Sequence, residues 1–196
     1  MRKFFLYLVR LFFLGLIFFE GLNLFKILNF ELEYSWFGLM ATAATVWFLW
    51  ELLAWYSKKK YNYIFPIFTF IVPAATTFLD IFGDVTRFYG KFIWYDQMMH
   101  FLGAFSLAIV LFFILHGIFL KRKINLSKRF IGFVAAASAI FLGVLYEIEE
   151  YSETILLHNN RLGDMFDTPN DLLFNVIGAF CAAGIGILIV RARKKK

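Results

Sequence analysis

Residues 97–120 read QMMHFLGAFSLAIVLFFILHGIFL, an apolar run without Asp, Glu, Lys or Arg. A helix needs about 20 apolar residues to cross the hydrocarbon core of a membrane, so this run is long enough for one crossing. Lys121, Arg122 and Lys123 follow it directly. An apolar run that ends in a basic cluster is typical of a transmembrane helix whose end faces the cytoplasm.

Five further apolar runs of similar length fill the chain. We predict membrane helices near residues 4–28, 36–57, 63–83, 97–120, 130–156 and 168–191. The composition agrees, because 61% of the residues are apolar and 17% are charged, whereas soluble domains have about 25% charged residues. The sequence therefore predicts an all-α, polytopic membrane helix bundle with six transmembrane helices, built as a single transmembrane domain over residues 1–196.

Charged residues alternate between the two sides of this predicted membrane. The basic clusters are Arg2 and Lys3; Lys58, Lys59 and Lys60; Lys121, Arg122, Lys123, Lys128 and Arg129; and Arg191, Arg193, Lys194, Lys195 and Lys196. The other loops have acidic residues instead: Glu31, Glu33, Asp80, Asp84, Asp96, Asp164 and Asp167. By the positive-inside rule, both termini are expected to face the cytoplasm. The expected location is a bacterial or archaeal plasma (inner) membrane, which the chain crosses several times.

The same charge pattern limits the classes of partner. The net charge of +6 comes from short clusters beside apolar runs, which favours topology signals over nucleic-acid binding. The chain lacks a glycine-rich nucleotide loop, a C-x-x-C pair and a G-x-S-x-G motif, and Cys181 is its one cysteine. Membrane lipid is therefore the expected partner, and no nucleic acid is expected; oligomeric partners stay unknown.

Small residues mark where helices are expected to approach one another, since lipid provides little hydrophobic drive between helices. In the last three predicted helices they are Gly103, Ala104, Ala135, Ala136, Ala139, Gly143, Gly178, Ala182, Gly184 and Gly186. We expect these helices to form the tightly packed part of the bundle.

Polar residues gather in three segments near one end of these helices. Asp96 and His100 are four residues apart, and Glu147 and Glu150 are three apart, so each pair shares a helical face. Asp167, Asp171 and Asn175 recur at four-residue steps and form one stripe at the start of the last helix. Ionisable groups inside a span are costly, by at least about 2.5–3.5 kcal/mol at the membrane centre, unless they face one another, a cavity or a metal.

A divalent metal ion is the cofactor that such a cluster could hold, because carboxylate, imidazole and amide groups are metal ligands. The candidate ligands are Asp96, His100, Glu147, Glu150, Asp171 and Asn175. His100, Glu147 and Glu150 are also the candidate catalytic residues, as acid/base groups beside a water-filled pocket.

Each of these residues also has a structural interpretation. Asp96 could serve as a helix N-cap, and Asp171 could simply favour the positive end of its helix. His100 could be a hydrogen-bonded structural group. Arg10 and Glu20, in the first predicted helix, have no assigned role and could pair with other groups of the bundle.

The combined motifs resemble those of a known family. They are Asp96, His100-Phe101 and Gly103; Glu147 and Glu150; and Gly163-Asp164, Asp167-Thr168, Asp171 and Gly178-Ala179. From the third predicted helix onward this set resembles the YjdF-like family of uncharacterised bacterial inner-membrane proteins. It is distantly similar to the VanZ-like proteins, which are linked to glycopeptide resistance. The Glu147/Glu150 pair and residues 163–171 depart from the VanZ-like pattern, so the resemblance implies a topology and a motif set, not a reaction.

Three function classes follow from these observations. The first is a metal-dependent hydrolase or transferase that acts on a lipid or envelope precursor from the extracytoplasmic side. The second is a transporter of a cation or small solute, and the third is an accessory structural membrane subunit. A transporter needs access from both sides and often has inverted repeats. The polar cluster lies on one side only, and the sequence shows no clear repeat, so the enzyme is favoured.

Overall fold

The structure, a computed structural model, describes residues 2–32, 35–157 and 162–193. These residues form seven helices and no strand. The helices are α1 (Arg2–Leu24), α2 (Trp36–Tyr61), α3 (Phe68–Val85), α4 (Phe88–Lys91), α5 (Ile93–Lys121), α6 (Lys128–Leu157) and α7 (Asp167–Arg193). All but α4 are long and apolar enough to cross a membrane. The prediction of an all-α protein with six membrane-spanning helices is confirmed. Four residues of the predicted loop clusters lie outside the described residues: Glu33, Lys194, Lys195 and Lys196.

The helix ends differ from the predicted bounds by a few residues, for local reasons. α1 ends at Leu24, because the chain turns at Lys26, whose φ of 59° is left-handed. α2 continues through its lysines to Tyr61 and is capped by Asn62, which has a φ of 47°. α3 starts only at Phe68, just after the turn at Pro66. The Pro66 carbonyl accepts a hydrogen bond from the Thr69 hydroxyl at 2.6 Å. Hydropathy alone cannot locate such turns.

The chain forms two compact units, Met1–Tyr95 (the N-terminal unit) and Asp96–Lys196 (the C-terminal unit). The boundary falls within the first turn of α5. A single domain over residues 1–196 stays a prediction.

The N-terminal unit contains an ion pair between two membrane helices. Arg10 on α1 donates to Glu51 on α2 through Nε, at 2.5 Å from Oε1, and through Nη2, at 2.7 Å from Oε2. This two-bond geometry is the strong form of a carboxylate–guanidinium contact. This pair is the role of Arg10, which could not be assigned from the sequence.

The C-terminal unit is packed through small residues. Ala135, Ala136 and Ala139 on α6 and Ala179 and Ala182 on α7 are fully buried. A Cβ at Gly178 would lie 2.2 Å from the Phe101 carbonyl oxygen, so α7 meets the backbone of α5 there. Among the described residues, no heavy atom lies within 4 Å of an added Cβ at Gly103 or Gly184, so these two predicted contact positions are not tight contacts.

Candidate functional site

The candidate site lies in the C-terminal unit and is centred on His100, whose side chain is 8% exposed. α5 begins at Ile93, so His100 lies about 10 Å along the helix axis. Asp96 lies inside the first turn rather than at the cap position, one turn before His100. Its Oδ1 is 3.8 Å from His100 Nε2. The N-cap interpretation of Asp96 is therefore wrong, and its carboxylate faces the imidazole.

α7 brings two buried side chains to the same imidazole. Asp171 and Asn175 are 1% and 3% exposed. Asp171 Oδ2 is 3.8 Å from His100 Nε2, and the Asn175 amide is 3.4 Å from His100 Nδ1. The close approach of α7 to α5 at Gly178 positions both groups, since Asn175 lies almost one turn before Gly178.

α6 provides the third side of the site. Glu147 is buried, and its Oε1 is 3.5 Å from His100 Nδ1. Tyr146 packs its ring edge-on against the imidazole, with the centroids 5.8 Å apart. A Cβ at Gly143 would lie 2.7 Å from Asn175 Nδ2. Gly143 therefore makes room for the amide that contacts His100.

These side chains form two overlapping groups with the spacing of metal ligands. One consists of Asp96, His100 and Asp171, and the other of His100, Glu147 and Glu150. In each group the ligand atoms lie within 4.8 Å of one another. Ligands on opposite sides of one ion are separated by about 4 to 5 Å when each bond is about 2.0–2.5 Å long. Only small side-chain movements would close either group around a cation.

The site is strongly acidic. A charge on Asp171 is repelled by four neighbouring acids, namely Asp96, Asp167, Glu147 and Glu150. The described Lys and Arg residues of this unit all lie within 121–129 or 191–193, about 24–32 Å away along their helices. Neither Glu147 oxygen nor Asp171 Oδ1 has a hydrogen bond of normal geometry among the described residues, although the Thr168 side chain interacts with Glu147. Buried carboxylates in this arrangement require protons or a cation for neutralisation.

A tight turn at the start of α7 positions Asp167. Gly163 has a φ of +68°, and a Cβ there would overlap Asp167 Oδ2 at 2.0 Å. The Asp164 carboxylate accepts a hydrogen bond from the Phe166 amide at 2.7 Å, and the Thr154 hydroxyl accepts one from the Leu162 amide at 3.1 Å. The Gly163-Asp164 motif is therefore explained as the turn that leads α6 into α7.

The sequence-predicted residues thus come together in one place. Five of the six candidate ligands belong to the two groups, and the sixth, Asn175, contacts His100 directly. The sequence treated Gly143 only as a packing residue and gave no role to Tyr146. No sequence signal marked either role, because the contact of Gly143 is made across helices and Tyr146, one residue before Glu147, lies on a different face of α6.

Comparison with known proteins places the chain among uncharacterised membrane proteins. Residues 5–192 match the family described as "Predicted membrane protein (DUF2238)". An uncharacterised protein of Thermotoga maritima is 30% identical over 134 residues, which are 66% of this chain and 67% of that protein. No solved structure matches the chain. The expected class of protein is confirmed at this level, whereas the YjdF-like and VanZ-like resemblances stay predictions.

Proposed function

We propose that this chain, which belongs to the DUF2238 family of predicted membrane proteins, is a membrane metalloenzyme. In this proposal it holds one divalent cation at the extracytoplasmic side of a bacterial or archaeal plasma membrane. Its reaction is the hydrolysis of a lipid or envelope precursor, or a group transfer to or from it. The YjdF-like resemblance is compatible with this location and does not determine the reaction.

One observation carries the proposal: His100 Nε2 lies 3.8 Å from both Asp96 Oδ1 and Asp171 Oδ2. An imidazole nitrogen and two carboxylates on separate helices are a suitable ligand set for Zn²⁺ or Mn²⁺. Three protein ligands leave coordination positions for water and substrate, as in catalytic rather than structural sites. The Asp96 side chain is 34% exposed, so the site reaches the surface of the C-terminal unit at this ligand.

The other side of the imidazole supports the same assignment. Metal-bound histidines usually donate their second ring N–H to a carboxylate, which fixes the tautomer and the ring orientation. Glu147 Oε1 is placed for this role, 3.5 Å from Nδ1. In the tautomer with the proton on Nδ1, Asn175 Nδ2 lies 3.4 Å from the same nitrogen without donating to it. Glu150, in the second ligand group, is the candidate acid/base residue. A bound ion would polarise the substrate and activate water, and these residues would position the imidazole and move protons.

The apolar packing of the same helices favours a one-sided site over a transport path. Ala108, Ile109, Phe112 and Phe113 on α5 are almost completely buried beyond the cluster. Phe112 also fills the space beside Gly186 of α7. A path for a hydrated cation would need polar groups at this level. The enzyme is therefore preferred to the transporter, and orientation with both termini in the cytoplasm is part of the proposal.

Metal analysis of the purified protein tests the first part of this proposal. We expect about one divalent ion per chain in wild-type protein purified in detergent without chelator. His100→Ala and Asp171→Asn should lose it. Glu149→Gln should retain it, because Glu149 is exposed on α6 and lies outside both ligand groups. Wild-type protein that takes up no Zn²⁺ or Mn²⁺ even after loading would reject the metal centre.

Reconstituted protein tests the second part. We expect turnover of lipid-linked precursors in vesicles to require the metal and to be abolished in Glu150→Gln under conditions that keep this variant metal-loaded. A metal-loaded protein without such turnover would support an accessory or transport role instead.

A further inference from the structure

The N-terminal unit contains a buried acid, Glu20, that is not part of the candidate metal centre. Glu20 on α1 is completely buried, and no described residue forms a hydrogen bond with either of its carboxylate oxygens. The residue lies about 6 Å before the end of α1 at Leu24. An ionised carboxylate in such a position would lose its hydration without compensation.

Another acid of the same unit acts on Glu20. Asp80 on α3 repels a charge on Glu20 electrostatically. It lies about 7–8 Å before the end of α3, at a similar distance from its helix end. Asp80 Oδ1 accepts a hydrogen bond from the Tyr89 hydroxyl at 2.6 Å. Asp84, one turn further along α3, is also fully buried.

The basic groups of α1 and α2 are remote from Glu20. Arg10 lies about 15 Å away along α1 and pairs with Glu51. A Cβ at Gly21 would lie 3.8 Å from Met40 Sδ, so the end of α1 packs beside the first half of α2. The charged residues of α2 are Glu51, Lys58, Lys59 and Lys60, all in its second half, where Tyr56 and Tyr61 also lie.

The available ligands favour a proton over a metal ion. The Asn23 amide, three residues further along α1, donates to the Phe19 carbonyl and accepts from the Phe30 amide. Among the described residues of this unit, no three His, Cys, Asp or Glu side chains have metal-ligand spacing. A proton requires only one of the two Glu20 oxygens.

We propose that Glu20 is a proton-binding site: a completely buried, neutral carboxylic acid near the end of α1 that exchanges its proton with the outside of the unit. The site is independent of the proposed metal centre and of its reaction.

Infrared spectroscopy of the full-length protein tests this directly. We expect wild-type protein at neutral pH to show the carbonyl band of a protonated carboxyl that shifts in heavy water. The band should lose the intensity of one carboxyl group in Glu20→Gln and keep its full intensity in Glu51→Gln, which alters an acid of the same unit that is paired with Arg10. Identical spectra of wild type and Glu20→Gln in this region would overturn the proposal.

A second measurement uses unmodified protein and so does not depend on the folding of a variant. Dicyclohexylcarbodiimide is an apolar reagent that adds to protonated carboxyl groups within membranes. Peptide mapping by mass spectrometry should find Glu20 modified and Glu51 unmodified. Modification of Glu51 without Glu20 would count against the proposal, as would modification of both to the same extent.

Discussion

Gly143 on α6 leaves the space that the Asn175 amide of α7 occupies: a Cβ at Gly143 would lie 2.7 Å from Asn175 Nδ2. The same amide lies 3.4 Å from His100 Nδ1. A glycine on one helix therefore controls, through an amide on a second helix, the orientation of an imidazole on a third.

We predict that Gly143→Ala weakens metal binding by about 10- to 100-fold, the usual effect of disturbing a group that orients a metal ligand. The added methyl group displaces the Asn175 amide, and the imidazole loses its neighbour. Titration with Zn²⁺ or Mn²⁺ measures the affinity. Gly103→Ala is the matched control, since it adds the same methyl group where no heavy atom is near. Equal affinities of the two variants would contradict this role of Gly143.

Replacing Asp171 should have opposite effects with and without metal. Without metal, Asp171 must bind a proton in the folded protein, because it is buried and four acids repel its charge; Asp171→Asn removes this cost, so we expect a higher melting temperature at neutral pH. A gain of about 1 kcal/mol corresponds to roughly 2–4 °C in a protein of this size. With metal, wild type should be stabilised by the bound ion and the variant should not. Thermal unfolding in detergent, with and without Zn²⁺, gives both values. A variant that metal stabilises as much as wild type would show that Asp171 is not a ligand.

Gly178→Ala should separate α7 from α5. Its Cβ would lie 2.2 Å from the Phe101 carbonyl oxygen, which belongs to the backbone and cannot rotate away. We expect a loss of stability of roughly 1–3 kcal/mol, the usual cost of overpacking. Gly184→Ala, on the same helix with no heavy atom near its added Cβ, should leave stability unchanged or slightly increased. Unfolding measured for both variants in the same detergent distinguishes the contact from a general effect of glycine replacement.

Replacing one partner of the Arg10–Glu51 pair should lower stability by leaving the other charge uncompensated, whereas replacing both partners avoids that loss. Arg10→Met or Glu51→Gln alone leaves one charged group without its two-bond partner, and we expect each to lower stability by about 1.5–3 kcal/mol. The double variant should lose less than the sum of the two single losses. A double-mutant cycle on thermal or denaturant unfolding measures the coupling. Strictly additive losses would show that the pair contributes no coupling energy.

The membrane orientation can be tested by cysteine accessibility in a Cys181→Ala background. We expect a membrane-impermeant maleimide to label Asp164→Cys in intact cells, because the α6–α7 turn is proposed to face outward. Ser127→Cys, in the loop before α6, should be labelled only after the membrane is permeabilised. The reverse pattern would invert the topology and place the candidate metal centre on the cytoplasmic side.

The parts of this molecule that could be predicted from sequence are those that depend on local pattern. Apolar run length gave the six spans, and four-residue spacing placed Asp96 beside His100 and aligned Asp171 with Asn175. The partners across helices could not be predicted, because they depend on helix register. Neither the Arg10–Glu51 pair nor the fit of Gly143 against Asn175 has a signal in any single segment. The late start of α3 and the short helix α4 depend on turn hydrogen bonds that hydropathy does not detect.

The contact between Gly178 and the Phe101 carbonyl also restricts how α7 can slide along α5. A shift by one turn in one direction would bring Asp171 to the position of Asn175 and Phe174 to the position of Gly178. A shift in the other direction would bring Ala182 there. Both residues have a Cβ, and the carbonyl oxygen leaves no room for one. The repeating polar stripe on α7 therefore has a single permitted alignment with His100, so neighbouring alignments that would exchange one acid for the next are sterically forbidden.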